Sequence, residues 1–230
     1  MNTAPEHAVI WDVDGTLVDT AEQHFRSWEH LAAEIGRPFT RADFAATFGW
    51  RNPEIIRHLF FPDATDARCA DLGLRKETFY RASVRDHGVA LLPGVAKLLA
   101  ASAAAGWPQA IGSSAPRGNL DQLLGVTGTL HYFDAIVSGE DVTRGKPDPE
   151  VFLAAAHKLG VDPARCVVFE DAVAGVQAAK AAGMKCVAVR FVGHHPADTL
   201  RAAGADLLVE SLNEVDAGAV RSLFAKGLPR

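Results

Sequence analysis

The chain has 230 residues, 48% hydrophobic and 22% charged, proportions that allow one sizeable core or a core with a smaller companion. Its formal net charge is −5 with no block of like charges, which argues against a nucleic-acid surface built on clustered Lys and Arg. No apolar run approaches the roughly 20 residues that span a bilayer.

The polar start Met1–His7 lacks the apolar stretch of a signal peptide, so a cytoplasmic protein is expected. Cys69, Cys166 and Cys186 are widely spaced and odd in number, and read as reduced, buried thiols.

Ala8–Trp11 is a short apolar run that stops at Asp12 and reads as a buried strand. From Thr20 to Ile35 the spacing becomes helical, with Phe25, Trp28, Leu31, Ala32 and Ile35 on one face, and Gly36 and Pro38 end the pattern. Helical patterns continue through 41–48, 54–60 and 66–84, and nothing from Asp19 to His87 reads as a strand.

After Pro93 and Gly94 strands and helices alternate. Strands are expected at 109–113, 135–137, 166–169, 186–189 and 207–209, with helices at 95–105, 119–124, 149–159, 173–182 and 197–203. That alternation implies right-handed crossovers and a parallel sheet covered on both faces. The expected fold is therefore a doubly wound α/β core, residues 1–17 and 92–230, with an inserted helical bundle, residues 18–91. The tail 225–230 reads as frayed.

Three of the apolar runs end on reactive polar residues: Asp12 and Asp14, Ser113 and Ser114, Glu170 and Asp171. Parallel strands present their carboxyl ends on one edge, so these residues should converge, and Lys146 lies on a loop able to join them. Crowded carboxylates repel one another, and a divalent cation relieves this; hard oxygen ligands favour Mg²⁺. Ser113, the turn after it and Lys146 suit phosphate oxygens. A carboxylate then attacks phosphorus while a second one, Asp14, handles protons. Asp12 and Asp14 are two apart, hence on one face, and Gly15 lets the chain turn sharply out of the sheet.

Asp12-Val-Asp14-Gly15-Thr16-Leu17-Val18-Asp19-Thr20 resembles the first motif of the haloacid dehalogenase superfamily. Ser113, then Lys146 in Gly-Lys-Pro-Asp-Pro, then Glu170-Asp171-Ala-Val-Ala-Gly175 resemble the second to fourth motifs, in the family's order. The helical insertion is similar to the family's α-helical cap. The resemblance implies Asp12 as nucleophile and metal ligand and Asp14 as acid/base and carbonyl ligand. It implies Ser113, Ser114 and Lys146 as phosphate holders, and Glu170 and Asp171 as completing an Mg²⁺ site.

The stretch 19–36, with Arg75-Lys76 and Tyr80, resembles the β-phosphoglucomutase branch, in which a cap histidine at the place of His24 helps control the acid/base aspartate. Thr20, His24, Arg51, Asn52 and Lys76 are the candidate cap residues. The mutases carry Gly-x-Ser-Arg on the cap loop; this chain has Gly49-Trp50-Arg51-Asn52, with the arginine one place early. A phosphatase of a small phosphorylated metabolite, with a sugar phosphate foremost, is the expectation. The alternatives are a β-phosphoglucomutase and, more remotely, a phosphoacceptor signalling module. A monomer or weak homodimer is expected.

Each residue also has a plainer reading. Ser113 alone suits a turn, Lys146 a solvated surface, and Glu170 and Asp171 a helix cap. Phe25, Trp28 and Leu31 read as cap core. The neighbours His194 and His195 point apart and lack a third ligand, so they do not read as a zinc site.

Overall fold

The protein is described by a computed structural model over residues 5–225. The expected fraying of 225–230 falls, beyond Ala225, outside the described residues. The strands are β1 (Ala8–Trp11), β2 (Gln109–Gly112), β3 (Ala135–Val137), β4 (Cys166–Glu170), β5 (Lys185–Val189) and β6 (Leu207–Val209). They form one parallel sheet in the order β3-β2-β1-β4-β5-β6. Trp11 pairs with Ile111 on one side and Phe169 on the other.

β1 is apolar throughout and β4 is apolar up to its final Glu170, because both faces of the sheet are covered. Val9, Trp11, Val167 and Phe169 pack on one face; Ala8, Ile10, Cys166 and Val168 pack on the other. All three cysteines are buried and unbridged.

Between β1 and β2 lie α1 (Ala21–Glu34), α2 (Arg41–Thr47), α3 (Asn52–Ile55, continued by a wider turn over Ile56–Phe60) and α4 (Asp66–His87), followed by α5 (Val95–Ala104). Among the described residues from 19 to 87 there is no strand. Thr40 and Asp43 form a reciprocal cap that starts α2, and the Thr65 side chain starts α4. Phe25, Trp28, Leu31, Phe44, Phe60 and Leu72 form a separate apolar cluster within these helices. Phe25, Trp28 and Leu31 are thus core, although Trp28 also lines the cavity below.

The chain passes between the helical layer and the sheet twice. The two crossings lie side by side: Val18 bridges Leu91, and Leu92 N–H donates to Leu17 O at 2.9 Å.

The remaining helices are α6 (Arg117–Thr127), α7 (Glu150–Leu159), α8 (Val173–Ala181), α9 (Ala197–Ala202) and α10 (Ala217–Ala225). α6 begins at Arg117, earlier than its apolar pattern, because Pro116 in an extended conformation sets its start. α10 has no counterpart in the sequence reading: its Ala- and Gly-rich start hides the period, while the Asp216 side chain accepts from Ala219 N–H at 2.8 Å. No helix among the described residues is long and apolar enough to cross a membrane.

Candidate active site

The strand order reverses between β1 and β4, and the crevice outside their carboxyl ends is where such sheets take ligands. Asp12 and Asp14 leave β1 there; Glu170 and Asp171 end β4 beside them. Two glycines permit this crowding. At Gly15, with φ 87°, an added Cβ would lie 2.1 Å from Asp171 Oδ2; at Gly175 in α8 one would lie 1.7 Å from Glu170 Oε1.

Lys146 reaches in from the loop before α7. Its Nζ donates to Asp12 Oδ1 at 2.6 Å and Glu170 Oε1 at 2.7 Å, and all three side chains are buried. Glu170 Oε2 accepts from the backbone N–H of Asp171 and of Ala172, each at 2.7 Å. Glu170 thus steadies the lysine and the following turn as well as offering an oxygen. Ser113 Oγ accepts from Ala115 N–H at 3.1 Å, which leaves its own O–H to donate into the site. Ser114 lines the same cavity.

Asp12, Glu170 and Asp171 bring one oxygen each within 4.8 Å of one another, the one such cluster among the described residues. Burial pushes the Asp12 carboxyl up to about 8; Lys146 opposes this and Glu170 adds to it. Burial, then Glu170 and Asp12, push Asp171 well above the ordinary range. Asp171 Oδ1 is buried without a hydrogen-bond partner. A cluster short of positive charge, with an orphaned carboxylate oxygen, fits a divalent cation.

The cap supplies the other wall. Thr20 Oγ1, His24 Nε2 at 3.2 Å and Tyr80 OH at 3.5 Å all meet Asp14 Oδ1. Burial favours the neutral acid, but His24 and Thr20 outweigh it and hold Asp14 below the ordinary carboxylate range. Tyr80 stacks on the His24 ring with centroids 4.0 Å apart. Lys76 Nζ lies 2.7 Å from His24 Nδ1 and donates to Glu77 Oε1 at 3.0 Å. Asn52 Nδ2 donates to the same oxygen at 2.8 Å, and Asn119 Nδ2, from α6, donates to Oε2 at 2.6 Å.

His24, Lys76 and Asn52 therefore line the cavity, Thr20 lies behind it on Asp14, and Arg51 does not reach it. Arg51 lies just before α3 in an extended conformation. It pairs with Glu54 at 2.6 Å and donates to the carbonyls of Val142 at 3.1 Å and Thr143 at 3.0 Å, on the loop after β3. Sequence reasoning missed Glu77 and Asn119. His194 packs against Phe48 of the cap at 4.7 Å and, with His195, takes no part in the acidic cluster.

The cavity between these walls holds only about 60 Å³, room for a few waters but not for a sugar phosphate. The profile of the haloacid dehalogenase-like hydrolases matches residues 6–183, most of the chain. The chain belongs to this family.

Within the haloacid dehalogenase-like hydrolases it stands with β-phosphoglucomutase-like phosphatases. A fructose-1-phosphate phosphatase of Escherichia coli is 35% identical over 191 residues, covering 80% of this chain and 96% of the relative. A β-phosphoglucomutase of Bacillus subtilis is 36% identical over 217 residues, covering 90% and 94%. The crystal structure of a β-phosphoglucomutase from Clostridium difficile superposes with a TM-score of 0.86 at 25% identity, covering 97% of this chain and 98% of that one.

Proposed function

We propose that this enzyme is a Mg²⁺-dependent phosphatase of a small phosphorylated metabolite, a sugar monophosphate foremost, working through an aspartyl phosphate on Asp12. The reading treats residues 1–17 and 92–230 as the catalytic core and 18–91 as a moving cap. It places the protein in the cytoplasm and lets one chain complete the site.

Asp12 Oδ attacks phosphorus as the leaving oxygen departs on the opposite side. Lys146, which in the resting site offsets Asp12 and Glu170, balances charge on the phosphoryl oxygens. Ser113 O–H and the backbone of the Ser114–Ala115 turn orient them. Asp12, the Asp14 carbonyl and Asp171 would hold Mg²⁺, with Glu170 beside them; the cation supplies further neutralisation of the carboxylates and the phosphate. Asp14 gives its proton to the leaving oxygen, then takes one from the water that cleaves the aspartyl phosphate. His24 and Thr20 hold Asp14 ionised in the resting site, so the proton it delivers to the leaving oxygen must arrive with the substrate, as on a phosphate monoanion. Cap closure excludes bulk water from the first step.

The observation that carries the choice of phosphatase is the outward Arg51. A mutase must grip the second phosphate of a bisphosphate intermediate, and the fork of an arginine is the natural grip. Here that fork is engaged by Glu54 and two carbonyls outside the cavity. The mutase remains the second reading because the Lys76–His24–Asp14 chain is the kind of relay that controls when the aspartate acts. The test supplies β-glucose 1-phosphate with a trace of the 1,6-bisphosphate. Inorganic phosphate should be the main product; glucose 6-phosphate forming much faster would make the enzyme a mutase.

A further inference from the structure

Glu77 lies on α4, the second long cap helix, with its side chain only 4% exposed. It borders the small cavity and also a second one of about 320 Å³ at the seam between cap and core, which Arg51, Arg81 and Ser114 also line. Burial opposes its charge, yet Lys76, His24 and the amides of Asn119 and Asn52 hold its carboxyl below the ordinary range. It is therefore an anion.

The cations facing the leaving group are few. Lys146 is held by Asp12 and Glu170 on the phosphoryl side. Arg51 points out. Among the described residues that line the small cavity, Lys76 is the one Lys or Arg, and Glu77 sits 3.0 Å from it. Apart from His24, which is tied to Asp14 and Lys76, the rest of the leaving-group wall is mostly aromatic or neutral polar, with Trp28, Phe48, Trp50, Thr47 and Asn52.

We propose that Glu77 makes this site selective for phosphomonoesters whose leaving group is uncharged, by cancelling the one Lys or Arg on the wall that the leaving group meets, while Asp14 holds His24. A second phosphate or a carboxylate on the leaving group would be desolvated there beside an anion and without an unpaired cation. A hydroxylated, neutral leaving group meets amides, a hydroxyl and aromatic faces, which suit it. Bisphosphates and phosphoglycolate fall on the excluded side. This inference rests on the phosphatase reading above for its substrate class, but its test does not need turnover.

The test is calorimetric binding of a hexose 1-phosphate and of the matching 1,6-bisphosphate, with Mg²⁺, to the full chain carrying Asp12→Asn. The monoester should bind at least about tenfold more tightly, the scale expected for one unscreened like charge. Adding Glu77→Gln frees Lys76 and should erase that preference. Adding Lys76→Met as well makes the wall neutral again and should restore it.

Equal or tighter binding of the bisphosphate with Glu77 present would overturn the proposal. So would a Glu77→Gln change that weakens both esters alike, the mark of a purely structural residue. Phosphate release by the unmodified enzyme is a separate arm: none from any ester would overturn the phosphatase reading, whatever the binding ratio.

Discussion

At the strand tips Asp12, Glu170 and Asp171 cluster with a single ammonium, Lys146, which pairs with the first two. Across the same cavity, on the cap, Lys76 meets Glu77, and the carboxylate is further satisfied by Asn52 and Asn119. The first cluster is short of positive charge and leaves Asp171 Oδ1 unpartnered. The second pairs its charges internally and reaches the strand tips through His24, which lies between Lys76 and Asp14. On the proposed reading the difference separates two tasks of one pocket: the core half would bind ions and react, and the cap half would position and select without binding charge.

The largest expected effect breaks the core half. Asp12→Asn keeps the shape and removes the nucleophile, so turnover should fall by at least about three orders of magnitude with the fold intact. Circular dichroism and steady-state assays on the purified variant check this, and a tenth of the normal rate would refute it.

Removing the cation comes next. EDTA should abolish activity and Mg²⁺ should restore it, while Ca²⁺, with its larger shell, should inhibit. The metal-free protein carries a pH signature as well. Asp12 titrates near 8 when folded, and near 4 when unfolded. Between those values the folded state keeps a proton that the unfolded chain has lost, so the contribution of Asp12 to stability falls as pH rises. Saturating Mg²⁺, at about 100 times its dissociation constant, should add about 2.7 kcal/mol, or about 5–10 °C in Tm. Thermal melts with and without Mg²⁺ at pH 6 and pH 8 measure both, and the gain should be larger at pH 8.

The cap half should yield smaller losses. His24→Ala unties Asp14 from Lys76 and should lower kcat by about ten- to a hundredfold, less than the loss of about 10²–10⁴-fold on removing a proton-transfer group itself. A larger change in KM than in kcat would mean that His24 binds substrate instead. Smallest of all, Arg51→Ala should alter phosphate release by less than about threefold, since it loses a partly exposed ion pair and loop contacts rather than a substrate contact. A loss of a hundredfold would place Arg51 on the substrate.

The two halves also differ in how much of them was legible in the sequence. In a parallel sheet every strand runs the same way, so an apolar run ending in Asp12, Ser113 or Glu170 already says which edge each residue occupies. The order of the motifs did the rest. Glu77 and Asn119 gave no such signal: they lie 42 positions apart and meet only where α4 packs on α6. Neighbours on a helix face different ways, so the candidate Lys76 gave no reason to pair it with Glu77. Arg51 was legible as displaced, but not as a tie between the cap and the loop after β3, because that loop has no pattern of its own.

The central claim is that phosphate passes through Asp12 to water. Acid quenching of the wild-type enzyme during steady-state turnover of a hexose 1-phosphate, followed by mass spectrometry of the peptide bearing Asp12, tests it most directly. One phosphoryl group should appear on Asp12 and be lost as inorganic phosphate at a rate matching turnover. Sustained phosphate release with that peptide unmodified at every quench time would contradict the account.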